Sequence, residues 1–144
     1  MTNNHAKIII IPARMTASRL PNKPLADIAG KPMIQHVWER AMAADLAPVY
    51  VATDNRTIVD VIELAGGKAV LTRTDHQSGS DRVFEAVEKI DPQQQYQYIF
   101  NLQGDLPDMP AEIPHRLAAV LDNNDCELAT LVTKASAEEA EKPQ

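Results

Sequence analysis

The run Lys7-Ile8-Ile9-Ile10-Ile11, followed at once by Pro12-Ala13-Arg14, decides the fold of this chain. Successive side chains of a strand point to opposite faces, so four consecutive isoleucines place large apolar groups on both sides. Such a strand needs cover on both faces, the condition of a central strand in a parallel sheet. Further runs of strand length and strand-forming composition are Val49-Tyr50-Val51-Ala52, Lys68-Ala69-Val70-Leu71, Tyr98-Ile99-Phe100-Asn101-Leu102 and Glu127-Leu128-Ala129-Thr130-Leu131-Val132.

The stretches between these runs carry helical period. Pro32 is placed as a first helical residue, with Ile34, Val37, Trp38 and Ala41 at 3.6-residue spacing and Pro48 forbidding continuation. Asp54 or Asn55 can cap a second helix bearing Ile58, Val59, Ile62 and Ala65, which Gly66-Gly67 ends. Ser78 or Ser80 can cap a third, with Val83, Phe84, Val87 and Ile90 on its apolar face, and Ile113, Leu117, Val120 and Leu121 mark a fourth, closed by Asp122-Asn123-Asn124-Asp125. Strands alternating with helices imply crossover connections, hence an α/β fold with a mostly parallel sheet and helices on both faces. Trp38 and Cys126 are expected in or near the core.

Composition narrows the function. The chain has 144 residues, 44% of them hydrophobic and 24% charged, enough to bury a core in one domain. Fourteen Lys and Arg against 20 Asp and Glu give a net charge of −6, which argues against bulk nucleic-acid binding. The longest apolar stretch, residues 8–13, falls far short of the roughly 18 residues of a membrane span. Nothing in Met1-Thr2-Asn3-Asn4-His5-Ala6-Lys7 marks a secretion signal, so the expected compartment is cytoplasmic. Cys126 is the sole cysteine, which excludes an intramolecular disulfide and a cysteine-cluster zinc site. Residues 136–144 are polar and acidic with no element after them, the look of a cut end.

In parallel sheets ligands bind beyond the carboxyl ends of the strands, and three such segments carry chemistry. Residues 12–25 bring Arg14, Arg19 and Lys23 together, with small Ala13, Ala17 and Ser18 letting backbone N–H groups approach a polyanion such as a phosphate chain. A solvated basic loop is the plainer alternative. No G-x-x-x-x-G-K-[ST] and no G-x-G-x-x-G occurs. Residues 72–82 (Thr-Arg-Thr-Asp-His-Gln-Ser-Gly-Ser-Asp-Arg) gather donors and acceptors at a helix start, which serves a ligand or simply caps the helix. His76 by itself reads as a surface histidine, and His5, His36 and His115 have too few neighbouring ligands to hold a metal. The third segment ends a strand in Gln103-Gly104-Asp105, where Asp105 either binds a hard divalent ion beside substrate phosphates or caps a turn.

Taken in order, P-A-R-M-T-A-S-R-L-P-N-K-P-L from Pro12, D-I-A-G-K-P-M-I-Q-H-V from Asp27, V-A-T-D-N from Val51, T-R-T-D-H-Q-S-G-S-D-R from Thr72 and N-L-Q-G-D-L-P from Asn101 resemble the 3-deoxy-manno-octulosonate (Kdo) cytidylyltransferases, or CMP-Kdo synthetases. The resemblance runs from about Lys7 to Lys142 and covers roughly the first half of a family member. It implies a Rossmann-like nucleotidyltransferase fold of the nucleotide-diphospho-sugar transferase type, with residues 1–144 forming a single CTP-binding domain truncated relative to the family. It also implies magnesium-dependent transfer of CMP from CTP to Kdo for lipopolysaccharide biosynthesis, and a homodimer in full-length members.

By motif, Ala13, Arg14, Ser18, Arg19 and Lys23 would bind CTP at its phosphates, with Arg14, Lys23 and Asp105 catalytic. Arg73, Asp75, Ser78 and Gly79 would meet the cytosine, Gln103 the sugar side, and Asp105 the Mg²⁺. Leu106 stands where the family carries an acidic residue, a departure that Asp108 could offset. Two further readings remain open: a truncated, non-catalytic CTP-binding half-domain, and a cytidylyltransferase for another sugar acid such as 8-amino-Kdo or sialic acid.

Overall fold

The structure, a computed structural model, describes residues 6–15, 22–104, 110 and 112–123. Its centre is β1 (Lys7–Ala13), all seven residues of which are buried. Around it lie β4 (Val49–Thr53), β5 (Lys68–Leu71) and β6 (Tyr98–Asn101), in the spatial order β5-β4-β1-β6. All three pairings are parallel, with Ile9 opposite Val49, Ile9 also opposite Phe100, and Tyr50 opposite Lys68. The expected mostly parallel sheet is therefore present.

Both faces are covered, as the isoleucine run requires. Ile9 and Ile11 pack with Ile34, Val37 and Trp38 of α1 (Met33–Ala43), Ile58 and Ile62 of α2 (Arg56–Leu64), and Ala118 of α4 (Glu112–Asn123). Ile8 and Ile10 face the other way, against Val83 and Ala86 of α3 (Gly79–Ile90). From β1 the chain winds through β4 to β5 on one side, then returns to lay β6 on the other. That reversal between β1 and β6 is a topological switch point, where crossovers diverge and leave a crevice at the strand ends. No described helix is long and apolar enough to cross a membrane.

The helix boundaries follow local chemistry. Asn55, rather than Asp54, caps α2: its Oδ1 accepts from the Thr57 and Ile58 N–H groups at 2.8 and 3.3 Å. Ser78, rather than Ser80, caps α3 by accepting from Asp81 N at 3.1 Å. At the end of α2, Gly66 takes φ +94° while its N–H and that of Gly67 reach back to Glu63 O and Ile62 O. This is the Schellman arrangement that a left-handed glycine permits.

Two expectations are corrected, and one element is new. Pro32 is not the first helical residue: with ψ at 145° it lies opposite Asp27 in a hairpin of β2 (Asp27–Ile28) and β3 (Lys31–Pro32). The next N–H, of Met33, still donates to Ala26 O at 2.9 Å, so the helix starts one residue later. The hairpin itself was not expected, and its turn places Ala29 and Gly30 at φ +52° and +87°. Phe84 is 67% exposed instead of buried, because it sits a helical step of about 100° round from Val83 and outside the stripe facing the sheet. Trp38 is buried as expected, whereas Cys126 and the run 127–132 lie outside the described residues.

Candidate functional site

At the switch point a cleft of about 300 Å³ opens. Its floor is the end of β1, Pro12 and Ala13, continuing into Arg14, and beside it Gln103 and Gly104 leave β6. Lys23 and Pro24, in a single 3₁₀ turn (Lys23–Leu25), and Met33 at the start of α1 form one wall. His76, Gln77, Ser78, Gly79 and Arg82, at the entry to α3, form the other. Backbone approach is close here. A Cβ on Gly104 would stand 2.8 Å from the Pro12 carbonyl oxygen, so only glycine lets the chain pass the end of β1 without displacement.

The α3 wall is rigidly built. Arg82 lies on the buried stripe of the helix, 2% exposed, and its Nη1 donates to Thr72 Oγ1 and to Arg73 O. Its Nη2 stands 3.6 Å from Asp54 Oδ2 at the end of β4. One guanidinium thus ties α3 to the ends of β4 and β5, as a planar fork with several donors can. The other Asp54 oxygen is buried with no hydrogen-bond partner among the described residues.

One turn further along α3, Glu85 Oε1 accepts from Arg73 N at 3.0 Å and from His76 Nε2 at 2.7 Å, while Lys89 Nζ lies 2.8 Å from Oε2. Burial raises the Glu85 carboxyl, but the Lys89 ammonium beside it and hydrogen bonds from the Arg73 N–H and His76 outweigh it and hold the group down at about 2. The His76 side chain is only 9% exposed, which corrects its reading as a surface histidine.

Of the residues singled out by sequence, the structure brings Ala13, Arg14, Lys23, Ser78, Gly79 and Gln103 to the one cleft. Arg73 and Asp75 are not on its wall; they pair with each other at 3.0 Å and are largely exposed. Ser18, Arg19 and Asp105, with Leu106 and Asp108, lie outside the described residues. Arg82 and Glu85 escaped notice, although a cation at a position helically in line with Ala86 was a readable signal of a buried role. His36 and His115 meet backbone carbonyls, of Ile28 and Ala44 respectively. Among the described residues no three His, Cys, Asp or Glu side chains converge as a metal site.

A nucleotide-sized crevice at a parallel sheet's switch point, with Arg14 on its floor, Lys23 on one wall and a helix start on the other, suits a nucleotidyltransferase. The cytidylyltransferase family profile matches residues 8–144, and the chain belongs to that family. It is 52% identical over 132 residues to the 3-deoxy-manno-octulosonate cytidylyltransferase of Paramagnetospirillum magneticum, covering 92% of this chain and 54% of that protein. To the protein of the same name from Brucella anthropi it is 47% identical over 135 residues, covering 94% and 54%. A solved CMP:2-keto-3-deoxy-manno-octonic acid synthetase complexed with CTP superposes with a TM-score of 0.76 at 44% identity, over 83% of this chain and 48% of that one. A 4-diphosphocytidyl-2C-methyl-D-erythritol synthase at 18% identity and TM-score 0.65, over 93% of this chain and 65% of that one, shares the fold. The chain spans about half the length of the curated relatives it matches.

Proposed function

We propose that this chain carries the CTP site of a Kdo cytidylyltransferase, transferring CMP from CTP to Kdo for lipopolysaccharide biosynthesis. The observation that carries the reading is the cleft itself, which unites Arg14 and Lys23 with the Ser78-Gly79 helix start and the Gln103-Gly104 strand end. In the reaction the anomeric hydroxyl oxygen of Kdo bonds to the α-phosphorus, the bond from that phosphorus to the bridging oxygen breaks, pyrophosphate leaves, and the hydroxyl proton passes to solvent. Arg14 and Lys23 hold the phosphates and offset the charge that builds on them. Ser78 and Gly79 present the α3 start to the nucleotide and Gln103 borders its sugar, while Arg73 and Asp75 would have to leave each other to reach the base. Positioning and charge account for the chemistry, with no covalent enzyme intermediate.

Mg²⁺ is the proposed cofactor, and Asp105 its proposed ligand. The donor set suits it, since a hard ion takes a carboxylate together with phosphate oxygens and Asp105 directly follows Gly104 of the cleft. When bound, the ion would neutralise phosphate charge. Ser18 and Arg19 belong to the same proposal as further phosphate contacts.

A second reading is a CTP-binding half that does not complete the reaction. The test is pyrophosphate release from CTP and Mg²⁺, with and without Kdo. Kdo-dependent release supports the transferase reading. CTP binding without release supports the half-domain, and release with sialic acid or 8-amino-Kdo alone moves the acceptor.

A further inference from the structure

The Glu85 carboxylate is engaged from three sides, by Lys89, the Arg73 N–H and His76. An anionic carboxylate only accepts hydrogen bonds, so the ring nitrogen facing it, Nε2, carries the proton and donates. In the neutral imidazole the other nitrogen, Nδ1, is then an acceptor. His76 is among the residues that line the cleft, next to Gln77, Ser78 and Gly79. An acceptor there distinguishes two pyrimidines. Cytosine carries an exocyclic amine, a donor, where uracil carries a carbonyl oxygen, a second acceptor.

We propose that His76 reads the nucleobase: its Nδ1 accepts from the exocyclic amine of cytosine and so favours CTP over UTP, with Glu85 as the positioning residue that fixes the tautomer. The inference rests on the CTP site proposed above and adds the basis of its selectivity. Glu85 does not touch the base; it acts through the ring and through the start of loop 72–78, which its bond from Arg73 N anchors. Its partners Lys89 and Arg73 are on the outer side of the same network, both largely exposed.

The test is the ratio of UTP to CTP dissociation constants, measured by calorimetry with Mg²⁺ on this chain at pH 8. Two substitutions separate reading from clasping. His76→Asn keeps a polar atom where Nδ1 stands, one bond from Cγ, whereas His76→Gln keeps one where Nε2 stands and loses the other. The proposal expects His76→Gln to lower the ratio about tenfold with UTP affinity unchanged, and His76→Asn to stay within about threefold of the parent. Glu85→Gln, whose amide can accept from or donate to Nε2, lowers it about threefold. A histidine that merely clasps Glu85 gives the reverse order, Asn impaired and Gln tolerated, and that order overturns the proposal. Nitrogen NMR of the unsubstituted imidazole reports the tautomer directly, even where a variant fails to fold: Nε2–H with an Nδ1 signal that moves on adding CTP supports it, and Nδ1–H overturns it. A chain that binds CTP and UTP equally overturns this inference alone. One that binds neither overturns the CTP-site reading beneath it.

Discussion

Glu85 contributes to the local order of the α3 wall, because its carboxylate joins a helix to the loop before it through Arg73 N and His76. Its folded value of about 2 lies below the ordinary carboxylate value of about 4.3. A group depressed on folding contributes stability that is fully present above its unfolded value and is lost as pH falls through the folded one. The contribution of Glu85 therefore holds at neutral pH and drains away between about pH 4.3 and about pH 2. Glu85→Gln is expected to lower stability at pH 7 by about 1–3 kcal/mol, the usual worth of hydrogen bonds to a charged group. The gap from the parent should narrow steadily as urea unfolding is repeated toward pH 2.5. A gap independent of pH would mean that the carboxylate's charge contributes nothing.

Among elements, the end of α2 places two glycines side by side for different reasons. Gly66 stands at φ +94° with nothing within 4 Å of a Cβ, so its need is conformational. Gly67 has no such φ, but a Cβ there would lie 2.7 Å from both Ile62 Cγ2 and the Trp38 ring, so its need is space. Gly66→Ala is expected to destabilise by about 1–2 kcal/mol through left-handed strain. Gly67→Ala should lose about 1–3 kcal/mol through overpacking. Emission from Trp38, the sole tryptophan, tells the two apart: it should shift in Gly67→Ala and stay put in Gly66→Ala. Equal emission in both variants would remove the packing account.

Features resting on local rules were legible in the sequence. Two-sided apolar runs identified β1 and β4, glycines ended α2, and side-chain oxygens began α2 and α3, with only the choice between neighbouring caps left to the structure. What was hidden depends on contacts between distant residues or on very short pairings. The β2–β3 hairpin has two residues a strand, and its Ala29-Gly30 turn lacks the Asn or Asp that usually announces one. In the site, sequence order was enough to collect Arg14, Lys23, Ser78, Gly79 and Gln103, since each follows a strand. The Arg82 and Glu85 network was not legible, because only the packing of α3 against loop 72–78 reveals which donors those side chains meet.

At the scale of the whole molecule, the cleft takes its walls from the ends of β1 and β6 and from the starts of α1 and α3, elements on both faces of the sheet. A ligand seated there bridges the two packed layers, so its binding energy should oppose global unfolding rather than stiffen one loop. For a ligand that binds only the folded state, a free concentration ten times the dissociation constant adds about 1.4 kcal/mol. In a chain of this size that is a rise of about 4 °C in Tm. CTP with Mg²⁺ is expected to give such a rise by thermal unfolding. Cytidine at the same concentration should give much less, because Arg14 and Lys23 have no phosphates to hold. Equal shifts from the two would place the binding energy on the base and remove the phosphate role from both cations. No shift from CTP, with calorimetric binding intact, would mean that the part of the chain that binds the nucleotide does not unfold in the observed transition, and that the cleft does not couple the two layers.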